Sequence, residues 1–464
     1  MLKYTLKYGL VALCLTVSLH IFSQDLHLRK GTVNDSVAVP GTELLSYSVY
    51  LPDDYSTAKK WPLFFVFDLE GGSTGAINAL LEAPGAGQAI LIAPDQLTEE
   101  SYEANFYVAK KLFDLVFRSF SVDKGRIYTA GFGEGGRLAT AVAVLSDDVD
   151  GVLAVGGAIP GHSSYVPVKN DFVFVGMAGD ESTYYREMQG TISLLESRKF
   201  QARMVVYDGN GHYPDARYTD RALRILTLQS MAKGAVPSVL KDSLFEADMV
   251  YNKWLEGQGR ALNAFDELGS MREHYPEDRF KDVLKERKKT LRKNDTFRKQ
   301  RRDSYGIEEE ETFYMEDYIS FLSADILTGD TGQLPSWEGE LNALDKPGKE
   351  GNIPRRKMAR RIRNMLEAAI EATIAKGELK DNQLLFANAF LVLLDPEAED
   401  ACLEVIRYST KNSEYGMALF YLEQLLKNGF TDVARLNAME DIALLRILPE
   451  YSDILEENGL KTLY

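Results

Sequence analysis

The sequence predicts a mostly parallel α/β sheet followed by an all-α C-terminal region. In the first half, nearly continuous apolar runs of strand length alternate with segments that repeat apolar residues at helical spacing. Such alternation is typical of right-handed β-α-β crossovers and a mostly parallel sheet. After Pro237 the strand-like runs nearly vanish and helical periodicity takes over.

Length and composition limit the class of protein. The chain has 464 residues, of which 45% are hydrophobic, and a formal net charge of -16. This apolar content is enough for a large core, and the length suggests two or three domains. The acidic balance argues against a nucleic-acid partner, which requires a basic surface to displace counterions.

Residues 1–24 have the order of a secretory signal: basic, then apolar, then a cleavage zone. Lys3 and Lys7 precede an apolar run over 9–22 that ends at Ser23 and Gln24. We therefore expect a secreted or periplasmic protein with no stable membrane span after cleavage. The other interpretation is a membrane anchor, although the run is short for a span. Cleavage would leave Cys402 as the single cysteine, which excludes an internal disulfide.

The first domain is assigned to residues 25–235, and its strands can be predicted in order. Nearly continuous apolar runs, such as those over 62–68 and 89–95, fit strands buried on both faces of a parallel sheet. The predicted strands cover 47–51, 62–68, 89–95, 126–131, 152–156, 172–176 and 203–207, with a helix over 102–120.

Ligand sites in parallel sheets lie beyond the carboxyl ends of the strands, so the residues just after those ends are the candidates. Three strand ends stand out. The first is the glycine-dense turn 131–136, which places Gly133 in the frame G-x-S-x-G between a strand and a helix. The second carries Asp180, and the third carries His212.

On these three positions the chain resembles the α/β-hydrolase superfamily, in particular its small esterase-like domains, over about residues 40–235. In that family the corresponding positions hold nucleophile, acid and histidine in this chain order. The resemblance therefore implies triad-like positions at Gly133, Asp180 and His212. It also implies an oxyanion hole formed by the backbone N–H of Glu134 and one from the loop 68–72 around Leu69.

The chain departs from the family at the decisive residue, because Gly133 has no side chain and can form no acyl-enzyme. We therefore expect a catalytically impaired pseudoenzyme whose cleft binds a small molecule or peptide, or serves as a scaffold, without a cofactor. The alternative is an active hydrolase on ester or peptide substrates. It would use a non-standard nucleophile, or water activated by His212 and Asp180.

The candidate site residues also have purely structural interpretations. His212 could be only a loop residue, and Asp180 could cap a helix over 181–196. Other polar residues on loops that could face the site are Ser73, His162, Ser163 and Ser164. The turn also satisfies G-x-G-x-x-G, but several strands precede it and no acidic residue ends the next strand, which argues against dinucleotide binding. No His/Cys cluster indicates a metal site.

The second half is predicted to be helical. Residues 236–329 form a charged helical region, in which ten Lys or Arg residues between 285 and 302 precede four glutamates at 308–311. This pattern indicates either a site for an anionic partner or a solvated helix whose basic and acidic ends offset each other. Residues 330–354, rich in Gly and Pro, are expected to be a linker or long loop. Residues 355–464 are assigned to a helical region, in which residues 416–430 with 441–455 resemble the last unit of a tetratricopeptide-like array. This resemblance implies a surface for a protein partner.

Overall fold

The computed structural model describes residues 28–98, 101–230 and 238–460. The predicted signal peptide, residues 1–24, lies outside the described residues. Within the three described ranges, no helix combines the length and the apolar character that crossing a membrane requires.

The predicted fold class is confirmed: an eight-stranded, mostly parallel sheet is followed by a helical region. The strand order is β1-β2-β4-β3-β5-β6-β7-β8, and only the pairs β1–β2 and β2–β4 are antiparallel. The strands are β1 Val33–Ala38, β2 Ser46–Tyr50, β3 Trp61–Asp68, β4 Ile90–Pro94, β5 Val122–Gly133, β6 Gly151–Gly156, β7 Val173–Gly179 and β8 Ala202–Tyr207.

Helices cover both faces of the sheet and then form the C-terminal half. Those of the first half are α1 Gly72–Leu81, α2 Tyr102–Ser119, α3 Glu134–Leu145, α4 Tyr184–Ser197 and α5 Ala216–Ser230. Those of the second half are α6 Ser238–Gly257, α7 Ala261–His274, α8 Asp278–Arg292, α9 Asp295–Asp303, α10 Ile307–Thr328, α11 Leu334–Lys349, α12 Ile353–Ala375, α13 Asp381–Leu394, α14 Glu399–Lys411, α15 Tyr415–Lys427, α16 Val433–Ala438, α17 Ala443–Arg446 and α18 Pro449–Glu457.

Strand β1 was not predicted, although the other strands were. Its sequence, VNDSVA, is polar, and three of its residues are half-buried while the other three are exposed. It lies at the edge of the sheet and pairs with β2 alone. An edge strand needs no continuous apolar run, so the signal that identified the inner strands is missing here.

One hydrophobic core crosses the boundary that the sequence analysis placed after residue 235. Sheet residues such as Phe64 and Val175 belong to the same cluster as Phe245 of α6, Leu268 of α7 and Leu284 of α8. Helices α6 to α8 therefore pack as part of the first domain. The helices from α10 to α13 have a core of their own.

The prediction of a linker or long loop over residues 330–354 is wrong. A short 3₁₀ turn leads into α11, and Pro335 lies in its first turn, where a missing N–H costs nothing. Trp337, Leu341 and Leu344 are buried at helical spacing against neighbouring helices. Tertiary packing thus outweighs the low helix propensity of Gly and Pro in this stretch.

The C-terminal helices stack in sequence, with extensive contacts between α13 and α14 and between α14 and α15. Leu385, Ala389 and Val405 bury the face that joins the first pair, and a separate cluster includes Leu422 and Leu455. Residues 433–446 form two short helices, α16 and α17, separated by a 3₁₀ turn. The tetratricopeptide-like character of this region stays a prediction.

Candidate functional site

Gly133 lies at the junction of β5 and α3 in the strand–turn–helix arrangement of a nucleophile elbow. Its φ of 53° and ψ of -127° are costly for any residue with a side chain. The neighbouring glycines allow close packing. A Cβ on Gly131 would lie 2.0 Å from the carbonyl oxygen of Gly135, and one on Gly135 would lie 2.1 Å from that of Phe67.

The elbow and the histidine loop meet at the edge of the sheet. A Cβ built on Gly133 would lie 3.3 Å from Cε1 of His212 and 2.7 Å from Oε1 of Glu70. A side chain at position 133 would thus face His212, as the triad-like frame requires. Glu70, from the loop after β3, already occupies part of that space.

The carboxylate that binds His212 is Asp68 at the end of β3. The Nε2 of His212 lies 3.1 and 3.0 Å from the two Asp68 oxygens, and the Tyr213 hydroxyl donates to Asp68 Oδ2 at 2.7 Å. The Asp68 side chain is buried. On the opposite side of the ring, Nδ1 lies 3.4 Å from the Glu70 carboxylate. Both ring nitrogens therefore face carboxylates.

This arrangement changes the acid–base properties of the pair. The hydrogen bond with Asp68 raises the pKa of His212 above its ordinary value, and it outweighs the opposing effect of burial. Burial alone would raise the pKa of Asp68. Hydrogen bonds from His212, Tyr213 and the Gly71 backbone more than offset that effect and lower it. The pair is thus stabilised as imidazolium and carboxylate.

Asp180 does not contact His212, so the predicted pairing of these two residues is wrong. Its Oδ2 accepts from Arg260 at 2.8 Å and from Lys357 at 2.6 Å, and its Oδ1 accepts from the Gly209 backbone N–H at 3.1 Å. The alternative of a helix cap is also wrong, because α4 begins at Tyr184 and has Thr183 as its N-cap. Two cations satisfy the carboxylate instead.

The residues predicted for the oxyanion hole flank the elbow. Glu134 is the first residue of α3, and its side chain accepts from Arg137 at 2.9 Å and from the Tyr184 hydroxyl at 3.3 Å. These two contacts hold the Glu134 carboxylate between α3 and α4. Leu69 is half-buried in the loop after β3. Asp68 Oδ1 accepts from the Gly71 N–H at 2.9 Å, which fixes that loop.

A cavity of about 270 Å³ opens above the elbow. Its lining includes Glu70, Gly133 and His212 from the sheet edge, and also Asn364 and Glu367 from α12. The helical region therefore supplies one wall of the cleft. Asn364 Nδ2 donates to the Glu181 carbonyl oxygen at 2.9 Å, which holds α12 against the loop after β7.

The serine and histidine alternatives lie elsewhere. Ser73 Oγ donates to Asp95 at 2.5 Å, and the His162 ring accepts from the backbone N–H of Ser164 at 3.3 Å. Neither these residues nor Ser163 are among the described residues that line the cavity. The same described ranges contain no group of His, Cys, Asp and Glu arranged to hold a metal ion.

The sequence analysis missed the roles of several residues in this site. Asp68 ends a strongly predicted strand, so its position at the ligand edge could have been inferred from the strand-end rule. Tyr213 follows His212 directly and gave no separate signal. Asn364 and Glu367 lie on a helix more than 150 residues beyond His212, and no local pattern links them to the cleft.

Comparison with known proteins gives structural likenesses alone. By sequence, no protein-family model and no curated protein matches the chain. An esterase from Pyrobaculum calidifontis is similar at 18% identity and a TM-score of 0.34, over 44% of this chain and 87% of the esterase. A mutant feruloyl esterase module from Clostridium thermocellum, in complex with sinapinate, is similar at 16% identity and a TM-score of 0.35. The match covers 43% of this chain and 88% of the esterase module.

A putative dienelactone hydrolase from Klebsiella pneumoniae is similar at 15% identity and a TM-score of 0.36, over 44% of this chain and 99% of the hydrolase. At these identities the likeness concerns the fold and identifies neither a substrate nor a reaction. The parallel sheet and the elbow described above define an α/β-hydrolase-like fold with a helical C-terminal region.

Proposed function

We propose that this protein is a non-catalytic relative of the α/β-hydrolases whose cleft binds a small molecule or peptide. The observation that carries the proposal is Gly133, which keeps the backbone of an elbow and faces His212 but has no nucleophilic atom. A covalent acyl-enzyme requires a hydroxyl or thiol at this point.

The state of His212 supports the same proposal. A general base must accept a proton, and its pKa should lie near the working pH. His212 is stabilised as an imidazolium by Asp68, and Glu70 faces its second nitrogen. Because each ring nitrogen faces a carboxylate, neither is directed at a site for an attacking water.

The alternative of an active hydrolase relies on His212 and Asp180 acting together. Asp180 is instead bound by Arg260 and Lys357, so it cannot orient the imidazole from its present position. This geometry favours binding over hydrolysis. The cleft has donors and acceptors suited to a polar ligand, including Asn210, Ser182 and Glu367.

We also propose that the last helices bind a protein partner and that the protein is exported. Phe420 of α15, Leu444 of α17 and the adjacent Ile447 are exposed apolar side chains on this end of the chain. Exposed apolar groups close together are typical of interaction surfaces. Export rests on the sequence of residues 1–24 alone.

The test compares the wild-type protein with His212→Ala on a short-chain chromogenic ester, with fluorophosphonate labelling of both. We expect equal background rates and no labelling, because Gly133 has no nucleophilic atom and both ring nitrogens of His212 face carboxylates. A wild-type rate about 100-fold or more above that of His212→Ala, the lower end of general-base catalysis, would contradict the proposal. Asp180→Asn then tests the alternative of an active hydrolase: a loss of ester turnover in this variant would assign Asp180 to the reaction.

A further inference from the structure

The segment over residues 285–302 concentrates positive charge on an acidic protein. It contains ten Lys or Arg residues and two acidic residues, a formal charge of +8, whereas the whole chain carries -16. Most of these cations are exposed on α8 and α9. A local charge of the opposite sign to that of the whole protein needs a structural or a functional explanation.

The acidic run that follows does not offset this charge. Glu308 pairs with Arg186 of α4 at 3.0 Å, and Glu310 pairs with Arg355 of α12. Glu311 is buried and makes two hydrogen bonds of 2.6 Å with Arg361 of α12. Three of the four glutamates are therefore used to dock α10 against other elements, and the hypothesis that the two runs neutralise each other is wrong.

Four of the arginines converge on one groove. The groove has a volume of about 610 Å³ and is lined by Arg292, Phe297, Arg298, Arg301, Arg302 and Tyr305. Tyr305 is 86% exposed at its rim, and Phe297 is buried at its base. Its lining shares no residue with the cleft at Gly133.

The corner between α8 and α9 holds this groove in shape. Asn294 caps α9 by accepting from the backbone N–H groups of Thr296 at 2.8 Å and Phe297 at 3.3 Å. Arg298 Nε donates back to the Arg292 carbonyl oxygen at 3.2 Å. The guanidinium groups thus project from a fixed backbone, which lowers the entropy cost of binding a ligand.

Internal acidic groups satisfy these arginines poorly. Arg298 and Arg302 each have one carboxylate contact of 3.3 Å, with the exposed Asp295 and the largely buried Asp303 respectively. Among the described residues, neither Arg292 nor Arg301 forms an ion pair. Such single pairs of exposed arginines contribute little and can be exchanged for a better acceptor.

We propose that this groove binds a small ligand that carries two or more adjacent phosphate groups. Guanidinium groups match phosphate oxygens with paired hydrogen bonds, and several of them close together require an acceptor of high charge density. The net negative charge of the rest of the protein disfavours an extended polyanion such as a nucleic acid.

The test measures binding of sodium tripolyphosphate to the full protein by calorimetry at low ionic strength. Arg301→Gln with Arg302→Gln should weaken binding at least about tenfold, because charge-assisted hydrogen bonds are lost. Lys285→Gln with Lys289→Gln is the matched control: it removes the same charge from the same segment but outside the groove, and should change the affinity less than about twofold. Thermal unfolding verifies that both variants fold.

Two further arms identify the source of the phosphate. Vesicles of phosphatidylcholine and phosphatidylglycerol test a lipid headgroup: vesicle binding that tripolyphosphate displaces assigns the site to lipid phosphates, and its absence assigns it to a free ligand. Three results would overturn the proposal. They are no binding of tripolyphosphate, an equal loss of affinity in both double variants, or tighter binding of a polyglutamate peptide than of tripolyphosphate. The last result would indicate an acidic protein partner.

Discussion

His212 has a carboxylate facing each of its ring nitrogens, and this determines what the residue can do. In a hydrolase triad one nitrogen faces the nucleophile and the other faces the acid. Here the buried Asp68 binds Nε2 and Glu70 faces Nδ1, and the hydrogen bond with Asp68 raises the pKa of the ring.

Asp68→Asn should lower the pKa of His212 and the free energy of unfolding, the latter by about 1–3 kcal/mol, because a buried charge-assisted hydrogen bond is lost. The raised pKa of His212 contributes stability that is present below about pH 6.5 and lost as pH rises through its folded pKa. The lowered pKa of Asp68 contributes stability that is present above about pH 3.9 and lost on acidification.

The difference between wild type and Asp68→Asn should therefore be largest between about pH 4 and 6.5. Urea unfolding at pH 5.5 and pH 9, with an NMR titration of His212, measures it. Asp215→Asn, at an exposed carboxylate a few residues beyond His212, is the control and should cost less than about 1 kcal/mol. An equal difference at both pH values would contradict the ion pair.

At the scale of elements, α12 links the two halves of the molecule. Arg361 is buried, makes two hydrogen bonds with Glu311 of α10, and donates to the Asp180 backbone carbonyl at 2.5 Å. Its guanidinium also lies over the Tyr185 ring, 4.5 Å from the ring centroid. One side chain thus joins α10, α12 and the loop that carries Asp180.

Arg361→Ala should lower the free energy of unfolding by about 3–5 kcal/mol, because it leaves the buried Glu311 carboxylate without a partner. Glu311→Ala should have a similar effect, and the double variant should cost less than the sum of the two. Denaturant unfolding gives these values. Arg435→Ala, which breaks an exposed ion pair with Asp400, should cost less than about 1 kcal/mol. Additive effects of Arg361→Ala and Glu311→Ala would show that the pair is not coupled.

How much of the fold and of the site could be predicted depends on how far apart in the sequence the interacting residues lie. The inner strands and the elbow are encoded by adjacent residues, so their positions could be predicted from the sequence. The partners of Asp180 are 80 and 177 residues away, and Asp68 is 144 residues from His212. Such pairs leave no local pattern. The helix α11 was missed because its Gly and Pro content hid the spacing of Trp337, Leu341 and Leu344.

At the scale of the whole molecule, the sheet domain is not complete without the helices that follow it. Phe245, Leu268 and Leu284 share a core with the sheet residues Phe64 and Val175. A chain that stops at residue 235 should therefore expose part of this core and aggregate. Size-exclusion chromatography of that truncation, beside one that stops at residue 304, tests this. A monomeric, cooperatively unfolding 235-residue chain would contradict it.

The ion pair between Lys357 and Asp180 also has a consequence for synthesis. The two residues are 177 positions apart. A ribosome adds about 5–20 residues per second, so Asp180 is made about 9–35 s before its cation. During that interval the loop after β7 lacks its far wall, and the cleft is open to the surrounding solution. The wall that α12 gives to the cleft is thus added only after the whole sheet has been made.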